Sequence, residues 1–285
     1  MPLVNPLKML QHATDNHYAV GAFNFVDYQT METTVQAAFA ANAPVILQAT
    51  GGTIKRFGTA TLVGMAKLIA ADTPVPVALH LDHGKDVDVI LQAIDDGFNS
   101  VMYDGSHLPL DENIATTKKV VEAAHAKGVA VEGEIGVVAG VEDDIVVNLD
   151  DAIYTTAEEA TTFQKASGID FLAPAIGTAH GFYKVEPKLN IDTLQEIAEQ
   201  KLCPLVVHGG TGLEDDVVRK LVAAGGAKFN VSTQVKITLI DALYNYIDAN
   251  RKEYHPLNLL EASRAALVDM TVAYMELLGS AGQAR

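Results

Sequence analysis

Tryptophan is absent from the 285-residue chain, and cysteine occurs once, at position 203. A lone cysteine excludes an internal disulfide and any metal site built from several cysteines. Basic residues are scarce as well: 20 Lys and Arg stand against 36 Asp and Glu, a formal charge of −16. That deficit argues against nucleic acid or an anionic membrane as partner, because both reward a basic face. Long apolar runs are missing too. The opening MPLVNPLKML lacks an apolar signal core, and no later stretch stays apolar for the length of a bilayer span. The expectation is a cytoplasmic globular protein, with residues 1–285 forming a single domain.

What is present is alternation. Short β-branched runs at 18–24, 44–49, 76–82, 98–104, 129–134, 169–175, 203–208 and 227–231 are bounded by Gly, Pro or Asp, as strands buried on both faces should be. Between and after them lie helical stretches at 27–41, 60–71, 86–96, 111–127, 157–167, 190–200, 214–224 and 233–249, the fourth opening on Asp111 as a candidate cap. Eight strand–helix units predict an α/β fold of the (β/α)8 TIM-barrel type. A doubly wound sheet would show a glycine fingerprint after its first strand, and AFNFVDYQT has none. Two segments exceed the minimal barrel. Residues 136–156 read as a long acidic loop. Residues 258–278 read as an extra C-terminal helix, apolar around most of its circumference and expected to pack on the barrel wall or another subunit.

Barrel enzymes place their chemistry at the C-terminal ends of the strands. On this reading those ends carry Asn24, Asp82, His83, Asp104, Glu134, His180, His208 and Asn230. Three imidazoles without cysteine suit a catalytic Zn2+, which takes three protein ligands and keeps a fourth position open. A single histidine at such a place is more often a hydrogen-bonded core residue, and His12, His17, His125 and His255 keep that reading. His80 points the same way as Asp82 and could support the ligands from behind. His107 follows Asp104 in a loop and stays open between the two.

The last two strand ends carry a different signal. One runs into His208-Gly209-Gly210-Thr211-Gly212 and the next into Asn230-Val231-Ser232-Thr233. Loops after strands seven and eight form the usual phosphate site of these barrels. Glycines admit the anion to backbone N–H groups, hydroxyls add donors, and helix N-termini add partial positive charge. A dianion can be held there even at a net charge of −16, because the donors are local.

HLDHG at 80–84, YDGSHLPLDEN at 103–113, VEGEIG at 131–136, GTAHGFYK at 177–184, HGGTGL at 208–213 and KFNVST at 228–233 together resemble the class II, zinc-dependent ketose-bisphosphate aldolases. That family includes fructose- and tagatose-1,6-bisphosphate aldolases, and AHGFYK looks closest to the tagatose branch. The resemblance spans the chain and implies a lyase acting on a phosphorylated ketose. Its products would be dihydroxyacetone phosphate and an aldehyde such as glyceraldehyde 3-phosphate. It implies His83, His180 and His208 as ligands of one zinc ion per subunit, with Asp104 and Glu134 behind them or at a second metal. Asp82 would be the acid/base at the C4 hydroxyl. Glu142, in the acidic loop, would move the second proton, the plain alternative for it being a solvated loop face. Asn24, Gly181, Lys184, Gly209, Gly210, Thr211, Asn230, Ser232 and Thr233 would bind the substrate and its phosphate, with a monovalent cation nearby. The resemblance further implies a homodimer or homotetramer.

Two positions depart from the family pattern. Ser232 matches neither the fructose-type nor the tagatose-type residue. The C-terminal Asp-Pro-Arg that binds a distal phosphate aligns with His255-Pro256-Leu257, and Leu257 cannot pair with an anion. Arg56, Arg251 and Arg264 are the substitutes to consider, and a ketose 1-phosphate or a non-phosphate distal group is the alternative substrate. A Schiff-base route would need a lysine inside the barrel. Lys228 is the nearest candidate, and on this strand assignment it lies at the wrong end. Two rivals from other classes remain. A metal-dependent barrel hydrolase would show His-x-His after the first strand, which AFNFVDY lacks; a non-catalytic sugar-phosphate-binding barrel would lack the metal or acid/base groups.

Overall fold

Eight parallel strands close into a barrel in a computed structural model that describes residues 3–142, 145–147, 153–181 and 187–285. In chain order the strands are β1 (Val20–Asn24), β2 (Val45–Ala49), β3 (Val77–Gly84), β4 (Ser100–Tyr103), β5 (Ala130–Ile135), β6 (Ala139–Glu142), β7 (Ile145–Val147), β8 (Phe171–Pro174), β9 (Ala179–His180), β10 (Leu205–Val207) and β11 (Gly226–Val231). The helices are α1 (Leu7–Asp15), α2 (Tyr28–Ala40), α3 (Gly51–Phe57), α4 (Thr59–Ala71), α5 (Val87–Asp96), α6 (Leu110–His125), α7 (Ala157–Ser167), α8 (Ile191–Glu199), α9 (Asp215–Ala223), α10 (Thr233–Ala249) and α11 (Pro256–Leu277). The barrel runs β1-β11-β10-β8-β5-β4-β3-β2. Its strands are the eight expected from the sequence, and α11 is the expected extra C-terminal helix.

Alternation along each strand divides the side chains between two environments. Leu79, Leu81, Val101, Leu172 and Phe229 point outward into the layer beneath the helices. Val20, Ala22, Ile46, Ala78, Ala130, Phe171 and Val206 point inward and fill the lower barrel. Met9, Leu10 and Ala13 of α1 pack on that inner cluster and close the N-terminal end. Above it the inward positions turn polar: Asn24, Gln48, His80, Asp82, Glu132, Glu134, Lys228 and Asn230 are all buried. Apolar burial at one end stabilises the fold, and the polar layer at the other end carries a desolvation cost.

Local signals explain several helix boundaries. Asp27 and Thr30 form a reciprocal capping box before α2, as do Thr156 and Glu159 before α7. Gly97 ends α5 in the left-handed region. Asp111 is not the cap of α6: the helix begins at Leu110 after Pro109, and Asp111 is an acidic residue of its first turn. Along α11 the buried residues Ser263, Leu267, Thr271 and Met275 recur every four positions and form one stripe, and the helix packs against α10 and α2.

Five short elements, α1, α3, β6, β7 and β9, were not read from the sequence. Short helices α1 and α3 offered too few turns to show a period. The stretch 136–156 is more than a loop, since β6 and β7 pair antiparallel within it and β6 pairs in parallel with β9. Strands of two to four residues carry too few alternations to register. Because β6 follows β5 and β9 follows β8, this small sheet sits at the C-terminal rim of the barrel.

Candidate active site

Asp82 and His83 offer ligand atoms to one cluster with His208, all within 4.8 Å of one another. Consecutive residues of a regular strand point to opposite faces, so this convergence requires a break in β3. The break is present. The register against β4 shifts between Leu81 and Gly84, and His83 takes a left-handed backbone with φ 49°. A non-glycine residue there is strained, and such strain collects at functional sites. Gly84 completes the bulge, since a Cβ on it would meet the Met102 carbonyl oxygen at 2.5 Å.

A chain of hydrogen bonds crosses the barrel below this cluster. Gln48 Nε2 donates to Asn24 Oδ1 at 3.0 Å, and Asn24 Nδ2 donates to Asp82 Oδ2 at 2.9 Å. Asn230 Nδ2 approaches the other oxygen of Asp82 at 3.3 Å. Lys228 Nζ donates to Asn230 Oδ1 and to Glu132 Oε2, both at 2.8 Å. Glu132 Oε1 then meets His208 Nε2 at 2.8 Å. On the other flank His83 Nδ1 lies 3.1 Å from Asp104 Oδ2, and the Ser106 hydroxyl donates to Asp104 Oδ1 at 2.6 Å. Glu134 Oε2 stands 3.3 Å from His208 Nδ1 and 3.9 Å from His83 Nδ1.

The electrostatics of this layer call for a cation. Among the described residues four carboxylates are buried (Asp82, Asp104, Glu132 and Glu134), against one buried ammonium, Lys228. Burial raises the carboxyl pKa of Glu132, but Lys228, His208 and His80 outweigh it and hold the group well below its usual range. Burial likewise opposes ionisation of Asp104, and His83 with Ser106 overcomes it. His208 is pulled the other way: burial lowers its pKa, while Glu132 and Glu134 raise it to about 9. His80 is lowered well below its ordinary value by complete burial and by the charge of Lys228. Four buried carboxylates against one ammonium, with imidazoles among them, fit a divalent cation. The donor set of nitrogen and oxygen without sulfur suits zinc. A second overlapping group, His83, Asp104 and Glu134, could also hold a metal.

The remaining expected residues divide into three groups. Thr211, Asn230 and Ser232 are buried where β10 and β11 end, and Thr233 opens α10. Gly209 and Gly210 turn the chain there. Gly209 has φ 65°, and a Cβ on it would meet the Ala179 backbone oxygen at 2.5 Å, so only glycine lets this loop approach β9 so closely. The backbones of His180 and Glu142 lie in β9 and β6, and Gly181 follows with φ 83°, but the side chains of His180 and Glu142 and all of Lys184 lie outside the described residues. Leu257 is 66% exposed on the first turn of α11. Its possible substitutes have their own partners: Arg251 bonds Asp248, Arg264 bonds Glu261 and Gln36, and Arg56 lies over the Phe57 ring.

Lys228 requires a correction. It lies mid-strand, fully buried, inside the polar layer rather than at the far end of the barrel. Its ion pair with Glu132 leaves it no resemblance to the desolvated free amine that a Schiff base needs. Glu132 and Gln48 were missed. The signal for both was available, since each lies two residues from a barrel-facing neighbour, Glu134 or Ile46. His107 and His255 are exposed, His125 pairs with Asp170, and His12 bonds Tyr18 at the barrel's lower end. Cys203 is no nucleophile, since burial and Asp170 push its thiol up to about 12.

Relatives carry the same chain from end to end. It is 40% identical to the D-tagatose-1,6-bisphosphate aldolase subunit GatY of Klebsiella oxytoca, over 99% of this chain and 100% of that one. It is 41% identical to a fructose-bisphosphate aldolase of Staphylococcus aureus strain Mu50, with both chains fully covered. Among solved structures, the YdjI aldolase of Escherichia coli K12 superposes with a TM-score of 0.88 at 30% identity, covering 99% of this chain and 100% of that one. The family is generally zinc-dependent, in keeping with the donor clusters above. The family model described as fructose-bisphosphate aldolase class-II matches residues 4–283, and the chain belongs to that family of lyases.

Proposed function

We propose that the chain catalyses reversible retro-aldol cleavage of a phosphorylated ketose of the fructose- or tagatose-1,6-bisphosphate type. The products are dihydroxyacetone phosphate and an aldehyde such as glyceraldehyde 3-phosphate. The convergence of Asp82, His83 and His208 in a barrel mouth with excess buried negative charge carries this reading. His83, His208 and His180 would hold one zinc ion per subunit, which would supply Lewis acidity to the substrate's carbonyl end.

The protein's own groups handle position and protons. Asp82 removes the proton from the C4 hydroxyl during cleavage and returns it during condensation. Asn24 and Asn230 hold its two oxygens and fix the direction in which it accepts. Glu142 delivers the proton to C3. The phosphate of the dihydroxyacetone half sits between the loops of Gly209–Thr211 and Ser232–Thr233 near Gly181, and Lys184 is assigned to the same group. Asp104 orients the His83 imidazole from behind, and Glu134 stands beside Nδ1 of His208, at the edge of the donor cluster. Nothing among the described residues supports an added monovalent cation.

Leu257 favours a second reading of the distal end. Its exposed apolar side chain, and the partners already held by Arg56, Arg251 and Arg264, support a ketose 1-phosphate or a non-phosphate distal group. A homodimer or homotetramer is supported by exposed apolar residues at the C-terminal end of the chain: Ile240, Tyr244 and Ile247 on α10, and Tyr254, Leu257 and Leu260 after it. Assaying cleavage across ketose 1-phosphates and 1,6-bisphosphates of both C4 configurations tests the proposal. Triose phosphate release from at least one supports it, and release from none overturns it.

A further inference from the structure

Glu132 and Lys228 are given no part in the reaction above, yet each bonds a residue that has one, and both are fully buried. Keeping an ion pair in such a place is costly unless every hydrogen-bonding group is used. Here the groups are used in a particular way. One oxygen of Glu132 faces His208 Nε2 and the other faces Lys228 Nζ, while His80 Nε2 stands 3.5 Å from that second oxygen. A carboxylate paired with an ammonium can only accept, so the proton between Glu132 and His208 belongs to Nε2. That leaves the Nδ1 side of the ring, next to Glu134, for the donor cluster. Lys228 also donates to Asn230 Oδ1, which turns the amide Nδ2 of Asn230 toward Asp82. One ammonium therefore reaches two functional groups on opposite sides of the barrel, each through one intermediary.

We infer that Glu132 and Lys228 are positioning residues. Glu132 fixes the tautomer and ring direction of the ligand His208, and Lys228 holds Glu132 and the Asn230 amide in register, so that metal ligand and acid/base carboxylate are set by one buried pair. The inference rests on the zinc-dependent reading of the site. It separates the duties of the two residues. Ligand geometry depends on an acceptor at position 132, charged or not. The grip on Asp82 depends on a donor at position 228.

Two double variants test this, both free of an unpaired buried charge. In Glu132→Gln with Lys228→Met, the Gln carbonyl oxygen still accepts from His208, and its amide faces His80. In Glu132→Ala with Lys228→Met, no acceptor remains. Zinc affinity is measured by chelator competition, folding by circular dichroism, and the His208 ring by long-range 1H–15N spectra of the zinc-loaded protein. The Gln variant should keep zinc affinity within about threefold of wild type and keep Nε2 protonated. The Ala variant should lose about 10- to 100-fold in affinity, as removing the carboxylate behind a ligating histidine generally does. Both should lose about tenfold or more in kcat with little change in KM, because Asp82 is no longer held by Asn230. Wild-type zinc affinity and an unchanged ring in the folded Ala variant would overturn the role of Glu132. Unchanged kcat in the Gln variant would overturn that of Lys228. Failure of the aldolase reading shows separately, as absent turnover in zinc-loaded wild type whose His208 spectrum still reports Nε2–H.

Discussion

Asp82 and His83 are adjacent in the chain yet aim donor atoms into the same cluster, and the strain of His83 at φ 49° is what makes this possible. The bulge depends on Gly84, whose missing Cβ leaves room for the Met102 carbonyl. Gly84→Ala should therefore destabilise the fold by about 1–3 kcal/mol, the usual cost of forcing an extra methyl into a packed site. It should also weaken zinc binding, because His83 must shift with the bulge. Thermal melting with and without zinc checks both effects; a variant that melts and binds like wild type contradicts the bulge's role.

The two carboxylates assigned to proton transfer should be separable. Asp82→Ala should lower cleavage turnover by roughly 10²–10⁴, the range for one acid/base group. It should still exchange the C3 proton of dihydroxyacetone phosphate, a step that does not involve C4. Glu142→Ala should impair that exchange. Isotope exchange followed by NMR distinguishes them, and the reverse pattern would mean that the roles are swapped.

The metal-free protein should lose stability as pH rises from about 6.5 to about 9, a window above the one in which the lowered pKa of His80 acts. Folding raises His208 from 6.5 to about 9 against the effect of burial, through Glu132 and Glu134. A group whose pKa rises on folding contributes stability that is complete below its unfolded value and is lost as pH climbs through the folded one. Asp104 and Glu132, held below the ordinary carboxylate range, stay ionised throughout this window and add no slope. Melting temperatures of the metal-free protein should fall between about pH 6.5 and pH 9. Zinc should flatten the slope and release about one proton on binding near neutral pH, measurable by calorimetry in buffers of different ionisation enthalpy. A flat profile without metal contradicts the assigned environment of His208.

At the distal end, a charge-assisted Arg–phosphate bond contributes about 1.5–3 kcal/mol. With leucine at 257, preference for a 1,6-bisphosphate over a ketose 1-phosphate should be weaker by roughly tenfold to a hundredfold in kcat/KM than with arginine there. Leu257→Arg should raise that preference. If the wild type accepts only bisphosphates, another cation binds the distal group, and Arg251 is the first to replace.

The barrel was legible because each of its strands is a short apolar run with a clear boundary, and because its helices are long enough to show their period. Its rim was legible for the same reason. Once β3, β5, β10 and β11 are placed, Asp82, Glu134, His208 and Asn230 follow from where the strands end. Reading only strand ends is also what hid Glu132 and Lys228. They lie one pleat deeper, where a charged residue in an apolar run looks like an exception until its partner, almost a hundred residues away in sequence, is seen across the barrel. The bulge at His83 was hidden as well, because a single register shift leaves no periodic trace.

Zinc titration of the metal-free protein, with a ketose 1,6-bisphosphate as substrate and triose phosphate as readout, bears most directly on a metal-dependent retro-aldol at these histidines. Activity should be absent without metal and rise with added zinc to a plateau near one ion per subunit. A folded His208→Ala variant should stay inactive and bind zinc poorly. Full turnover in the metal-free protein, or borohydride trapping of substrate on Lys228, would contradict it.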